Sequence, residues 1–359
     1  MLILKGSINL KIAVILGTRP EIIKMSPIIR ELEKQHLNYF ILHTGQHYTY
    51  NMDKVFFEQL KLPEPKYNLK VGSGTHAEET GKMLIRIEKV LQNEKPDIVL
   101  LEGDTNTVLA GALAATKLLI KVGHVEAGLR SYDREMPEEI NRILTDHISD
   151  YLFAPTQNAK ENLIKEGIDK NKIFVTGNTI VDAVQQNIKL AEGHADPLYK
   201  ECFLATLHRQ ENVDNPERLR KIIKGLELVA EHFKTQIICP IHPRTKKKLK
   251  QFNIKINKIN LIEPTDYLAF LKLLHNAKLI FTDSGGVQEE ACILKTPCVT
   301  LRYNTERPET LEVGANMLAG NEPKSILEKA KIMITKKGEW KNPFGNGKAA
   351  EKIVKIIAS

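Results

Sequence analysis

The chain has only four cysteines, Cys202, Cys239, Cys292 and Cys298, and no two of them form a C-x-x-C. Cys202, Cys239 and Cys298 lie in apolar, strand-like runs, which reads as reduced core thiols and argues against a disulfide framework or a zinc knuckle. No apolar run reaches the roughly 18 to 20 residues that cross a bilayer, so no membrane partner is expected. The opening MLILKGSINLKIAVILGTRPE lacks a charged n-region and a small-residue cleavage site, and Lys5 and Lys11 interrupt its apolar residues. It reads as a short extension into a first strand, not a signal peptide, and a cytoplasmic location is the expectation. Repeats, low-complexity tracts, D-x-D and His/Cys clusters at metal spacing are all missing. Nothing in the sequence therefore asks for a metal.

Acidic balance is missing too: the formal charge is +8, part of it in Lys246, Lys247, Lys248, Lys250, Lys255 and Lys258. That run has no interleaved aromatics and reads as a solvated helix face and loop. It suits a phosphorylated substrate better than nucleic acid.

A content of 42% hydrophobic and 27% charged residues describes a soluble globular chain, and 359 residues are enough for two cores. Short β-branched runs alternate with amphipathic stretches. Strands are predicted at 11–16, 39–44, 97–101, 121–125, 151–154 and 173–176. A second series follows at 203–206, 236–240, 260–262, 279–282, 297–301 and 317–319. Helices are predicted between them, among others at 21–35, 76–93, 179–192 and 216–233, with a last one at 349–357. Strands buried on both faces and separated by helices mean parallel sheets covered on two sides. The expected fold is α/β, with two Rossmann-like domains facing a central cleft. The first domain comprises residues 1–178, completed by a C-terminal helix in 341–359; the second comprises 179–340. Ligands of such sheets bind at the carboxyl ends of the strands.

Several motifs fall at those ends. Gly17-Thr18-Arg19-Pro20-Glu21, with Lys24 one turn on, reads as a helix N-terminus that favours an anion, or as a tight turn with two surface bases. Gly72-Ser-Gly74-Thr-His-Ala77 matches a dinucleotide fingerprint loosely. Asp97 opens the next strand instead of ending it, so a loop before a helix is the better reading and NAD is not inferred. Glu102-Gly103-Asp104-Thr105, His124-Val-Glu126 and Pro137-Glu138-Glu139 place Asp104, Glu126 and Glu138 at successive strand ends. Acids so placed are catalytic, or they are caps and salt-bridge partners. In the second half His208-Arg209 and His242-Pro243-Arg244 follow strands. Asp283-Ser284-Gly285-Gly286 opens a helix as a phosphate cradle with Ser284 as N-cap, or as a well-capped helix needing no ligand. Glu289 and Glu290 are expected in its first turn, where one would accept two ribose hydroxyls. Arg307 follows near the next strand end.

Together GTRPE at 17–21, TGQH at 44–47, EGDT at 102–105, GHVEAGLR at 123–130, PEEINR at 137–142, TLHRQEN at 206–212, TDSGGVQEE at 282–290 and TERPE at 305–309 closely resemble the non-hydrolysing UDP-N-acetylglucosamine 2-epimerases. The resemblance runs in order from about residue 11 to about residue 310. It implies the glycosyltransferase-B architecture and no cofactor. Asp104, Glu126, Glu138 and His208 match the family's catalytic residues. Arg19, Lys24, Ser284, Gly285, Gly286, Glu290 and Arg307 match its UDP-sugar contacts, and Phe270 a neighbour of the uracil. Thr265 stands where some members carry Gln. Gln46, His47, Arg209 and His242 match a second site, where bacterial members bind UDP-N-acetylglucosamine as an activator. The resemblance also implies a homodimer and a product destined for cell-surface polysaccharide.

Rival expectations remain on the same fold: a hydrolysing epimerase that releases N-acetylmannosamine, or a retaining glycosyltransferase. The acids of the first half argue against the transferase, because that domain normally holds an acceptor site. A nucleotide-sugar sensor or an RNA-binding protein would bind without turnover.

Overall fold

The computed structural model describes residues 10–45, 50–192 and 202–359. They form two compact units, the first reaching to Gln185 and taking back Phe344–Ser359, the second running from Gln186 to Pro343.

In the first unit the elements alternate as β1 (Lys11–Leu16), α1 (Arg19–Lys34), β2 (Asn38–His43), α2 (Tyr50–Gln59), β3 (Tyr67–Asn68), α3 (His76–Glu94), β4 (Ile98–Glu102) and α4 (Asn106–Lys117). Then come β5 (Lys121–Val125), α5 (Pro137–Ile148), β6 (Tyr151–Ala154), α6 (Gln157–Lys165), β7 (Ile173–Val175) and α7 (Thr179–Leu190). All pairings are parallel, in the order β3-β2-β1-β4-β5-β6-β7. The central strands KIAVIL and IVLLE are apolar almost throughout because helices cover both faces of the sheet. Ala13, Ile15, Val99 and Leu101 pack with Met83, Ile87 and Val108 of α3 and α4 into one core.

The second unit runs β8 (Phe203–Thr206), α8 (Gln210–Val213), α9 (Pro216–Phe233), β9 (Ile237–Pro240), α10 (Pro243–Gln251), β10 (Ile259–Ile262), α11 (Tyr267–Asn276) and β11 (Leu279–Thr282). It ends with α12 (Gly285–Ile293), β12 (Cys298–Thr300), α13 (Pro308–Glu312), β13 (Asn316–Leu318) and α14 (Pro323–Met333). Its sheet is also parallel, ordered β10-β9-β8-β11-β12-β13. The last helix, α15 (Ala349–Ile357), packs on α1 of the first unit.

In both sheets the strand order reverses at one point, between β1 and β4 in the first and between β8 and β11 in the second. Doubly wound sheets open a crevice there, beyond the carboxyl ends of the strands. GTRPE and EGDT leave the first reversal, and TLHR and DSGG the second. The division of the chain falls inside α7, not before it as the boundary after residue 178 supposes. The reason is local: Asp182 on that helix accepts hydrogen bonds from the Ala349 and Ala350 amides at the start of α15 (3.2 and 3.0 Å).

All four cysteines are buried free thiols, and burial pushes Cys239 and Cys292 up to about 12. Among the described residues no helix is long and apolar enough to cross a membrane.

Candidate active site

At the first reversal the end of β1 meets α1 through Gly17. Its φ is not positive; what excludes a side chain is space, since a β-carbon would lie 2.2 Å from Thr44 Oγ1 and 2.3 Å from Thr107 Oγ1. Those hydroxyls bond each other at 2.9 Å. The anion at the start of α1 is the chain's own: Glu21 Oε2 accepts from the Gly17 and Thr18 amides (2.5 and 3.2 Å), and Oε1 from Thr105 Oγ1 (2.5 Å). The Gly17 and Thr18 amides, expected to favour an anion, are thus taken up by Glu21. Nor do Arg19 and Lys24 converge there. Arg19 lies 5.1 Å over the Phe56 ring, while Lys24 turns to the carboxylates of the next strands.

Those carboxylates form the centre of the site. Lys24 Nζ stands 2.5 Å from Glu126 Oε2 and 3.2 Å from Glu102 Oε1. Asn178 Nδ2 also donates to Glu126 Oε2, at 3.0 Å. Glu21, Glu102 and Glu126 are all buried. Burial raises Glu21 to about 7 against the pull of its three donors. Burial, opposed by Lys24 and reinforced by the charges of Glu126 and Glu21, raises Glu102 well above the carboxylate range. Glu126 itself has φ +70°, a left-handed conformation that residues with a β-carbon adopt at a cost and that recurs at functional sites.

Asp104 follows Gly103, whose φ of +86° suits glycine. Its side chain is 32% exposed and pairs with Arg142, which also holds Glu139 at 2.7 Å. The loop is braced from below: buried His124 bonds the Gly103 carbonyl through Nε2 (2.8 Å) and Asp146 through Nδ1 (2.7 Å). Glu138 lies exposed on the first turn of α5, and its neighbour Glu139 turns inward to accept from the Ser131 and Tyr132 amides.

At the second reversal Asp283 is the organiser. It accepts from the backbone of His208 (3.1 Å) and Arg209 (3.0 Å), from Asn212 Nδ2 (3.2 Å) and from His208 Nδ1 (3.1 Å). Burial works against its charge, yet these bonds hold it below the usual range. The imidazole of His208, 42% exposed, thereby presents Nε2 outward. Ser284 caps α12, accepting from the Val287 amide. Because α12 starts at Gly285, Glu289 and Glu290 fall in its second turn, not its first, and both are buried. Glu289 pairs with Arg307 Nε at 2.7 Å, so that arginine is anchored at its base. A β-carbon on Gly286 would meet nothing within 4 Å, which leaves the helix N-terminus open to close approach.

His208, His242, Thr265, Phe270, Ser284 and Val287 are among the residues lining one cavity of about 210 Å³ within this unit. Thr265 Oγ1, buried in this region, has no hydrogen-bond partner among the described residues. His242 caps α10 through Nδ1 and lies 6.1 Å from the His208 ring; burial, then the charges of His208 and Arg244, lower it. Arg209 caps α8 and stands 3.9 Å from Glu306. Gln46 and His47 lie outside the described residues. Among the described residues no group of three or more His, Cys, Asp or Glu could hold a metal ion.

The chain's similarities point one way. Residues 30–358 match the family model described as UDP-N-acetylglucosamine 2-epimerase. The chain is 63% identical to UDP-N-acetylglucosamine 2-epimerase of Methanocaldococcus jannaschii, over 97% of this chain and 99% of that one. It is 57% identical to the enzyme of the same name from Methanococcus maripaludis, over 97% and 98% of the two chains. The chain belongs to the UDP-N-acetylglucosamine 2-epimerase family. Its fold matches the crystal structure of the M. jannaschii enzyme in complex with UDP-GlcNAc and UDP, with a TM-score of 0.89, 62% identity and coverage of 97% and 99%.

For this member of the family, motif reading found the acids at the strand ends and missed their surroundings. Glu21, Glu102, Asn178 and Asp283 each fall inside a motif or at a domain break. Glu102 was hidden because its strand was expected to end one residue earlier, at Leu101. No local pattern marks Asn178 or Asp283, whose partners lie 52 and 75 residues away.

Proposed function

We propose that this chain interconverts UDP-N-acetylglucosamine and UDP-N-acetylmannosamine by inverting carbon 2 of the sugar, without net hydrolysis. The observation that carries the proposal is the set of buried carboxylates at the first strand reversal, where Glu126, held by Lys24 and Asn178, stands beside raised Glu102 and Glu21. Family membership and the UDP-sugar substrate in its relatives' names support the choice of substrate.

Carbon 2 is not next to a carbonyl, so its hydrogen is not acidic. Cleaving the anomeric C–O bond first expels UDP and leaves oxocarbenium character at carbon 1. The adjacent C–H then becomes acidic enough for a carboxylate to remove it, giving 2-acetamidoglucal. A proton delivered to the opposite face and return of UDP to carbon 1 complete the inversion. Two proton-transfer groups are needed, one for each face. Glu126, Asp104 and Glu138 are the candidates. His208, Arg307 and the open N-terminus of α12 at Ser284, Gly285 and Gly286 stabilise the diphosphate as it leaves, with Arg19 as a further cation. Phe270 and the unpartnered Thr265 hydroxyl suit a uracil base, and Glu290 a ribose. Arg209 and His242, with Gln46 and His47, serve activation by a second UDP-N-acetylglucosamine, and the working assembly is a homodimer.

Proton NMR of the protein with UDP-N-acetylglucosamine in D2O tests this. UDP-N-acetylmannosamine carrying deuterium at carbon 2 is the expected product. Free N-acetylmannosamine with UDP from the first time points would replace the proposal with hydrolysis. No exchange at carbon 2 would reject it.

A further inference from the structure

Glu126 owes its orientation to a residue remote in sequence. Its Oε2 takes two donors, the Lys24 ammonium at 2.5 Å and the Asn178 amide at 3.0 Å. The Asn178 amide has one possible orientation: Oδ1 accepts from the Ile180 backbone at 3.0 Å, so Nδ2 must face Glu126. Asn178 is itself pinned, since its backbone N–H donates to the Phe344 carbonyl at 2.8 Å. Gly177 before it has φ +92°, and a β-carbon there would come within 3.2 Å of that same carbonyl. Buried Phe344 anchors the returning segment that leads into α15. Asn178 thus joins three pieces of the first unit: the residue after β5, the start of α7, and the C-terminal return.

We propose that Asn178 is a positioning residue for Glu126, fixing its carboxylate from the junction of α7 with the returning C-terminal segment. This rests on the assignment of Glu126 to proton transfer. The charged groups around the pair are Lys24 and Glu21 of α1, Glu102 of β4, Asp182 of α7 and Lys352 of α15, whose Nζ donates to the Thr176 carbonyl.

Two substitutions separate positioning from helix capping. Asn178→Ser keeps a side-chain oxygen to cap α7 but is too short to reach Glu126. Turnover should fall about 10- to 100-fold, with KM for UDP-N-acetylglucosamine within about threefold of normal, as a misplaced reacting group predicts. Asn178→Asp keeps the cap and the shape but sets a carboxylate against Glu126. The acidic limb of kcat against pH should then move up by about one pH unit or more, because a like charge favours the protonated base. Normal turnover in Asn178→Ser, or an unmoved limb in Asn178→Asp, reduces Asn178 to a cap and overturns the proposal. Glu126→Gln is the control: if it keeps normal turnover, the Glu126 assignment itself is wrong, whatever the Asn178 variants do.

Discussion

The two units treat their carboxylates oppositely. In the first, Glu21 and Glu102 are pushed up by burial, Glu21 to about 7, and one ammonium, Lys24, stands between Glu102 and Glu126. In the second, Asp283 is held below the usual range by bonds from His208, Arg209 and Asn212, and Glu306 is drawn to about 2 by Arg302 in spite of burial. Burial opposes the charge in both sets, so the charge of the partners decides: Glu21 receives neutral amides and a hydroxyl, whereas His208 faces Asp283 and Arg302 faces Glu306. A buried acid with neutral donors, such as Glu21, is raised towards neutrality. Acids paired with cations stay charged and hold those cations in fixed directions. That difference fits the proposed division of labour, with proton transfer in the first unit and anion binding in the second.

The hardest blow to this contrast falls on the first unit. Glu126→Gln and Asp104→Asn should each cut turnover by at least ~100-fold, the low end of general acid–base contributions. Deuterium incorporation at carbon 2 measures it. Glu138→Gln belongs to the same series, and its exposed position makes it the sharpest of the three: near-normal turnover there, with the other two inactive, would strike Glu138 from the candidates.

In the second unit the largest effect should be on folding. Asp283→Asn leaves donors facing an amide, and each charge-assisted bond is worth about 1.5–3 kcal/mol, so a loss of at least about 3 kcal/mol is expected in urea unfolding. The same change in Glu102→Gln should cost far less, because the amide resembles the neutral acid that burial favours. Equal losses would erase the distinction between the two sets.

The contrast also sets opposite pH dependences. Glu21 titrates at about 7 in the folded chain against 4.5 ordinarily, so the native state holds its proton more tightly, and stability falls as pH rises from about 4.5 to 7. Glu306, at about 2, contributes stability that is complete above about 4.5 and is lost as pH falls towards 2. Glu21→Gln should therefore flatten the stability profile between pH 5 and 8, by at most about 3 kcal/mol. Glu306→Gln should flatten only the acid side. A profile unchanged between pH 5 and 8 in Glu21→Gln would mean that Glu21 is already ionised in the native state.

The architecture was legible because strands buried on both faces announce themselves. All twelve predicted strands are present, most within a residue at each end; among the described residues only β3, two residues on a sheet edge, escapes, being too short for any periodicity. Motif positions were legible for a related reason, since GTRPE, EGDT, TLHR and DSGG all leave strands at the two reversals. What a motif cannot state is the partner of each side chain. Lys24 reads as a partner of Arg19 one turn on, but its carboxylate partner Glu126 lies 102 residues away. Gly17 looked like a sharp turn and is instead a matter of room beside Thr44 and Thr107. Distances across a sheet set these roles, and they are invisible along the chain.

The smallest expected effect is also the most discriminating for the second unit. Gly286 is the second residue of α12, has no positive φ, and would place a β-carbon in open space. Alanine there should leave stability unchanged or raise it by up to about 1 kcal/mol, the ordinary gain of alanine over glycine in a helix. If a diphosphate approaches the free amides of α12, however, the added methyl stands in its path, and UDP affinity measured by calorimetry should fall about tenfold, near 1.4 kcal/mol. A stability gain with weakened UDP binding would mean the glycine is kept for the ligand, against the interest of the helix. Unchanged affinity would move the diphosphate away from α12 and leave Ser284 as a cap alone.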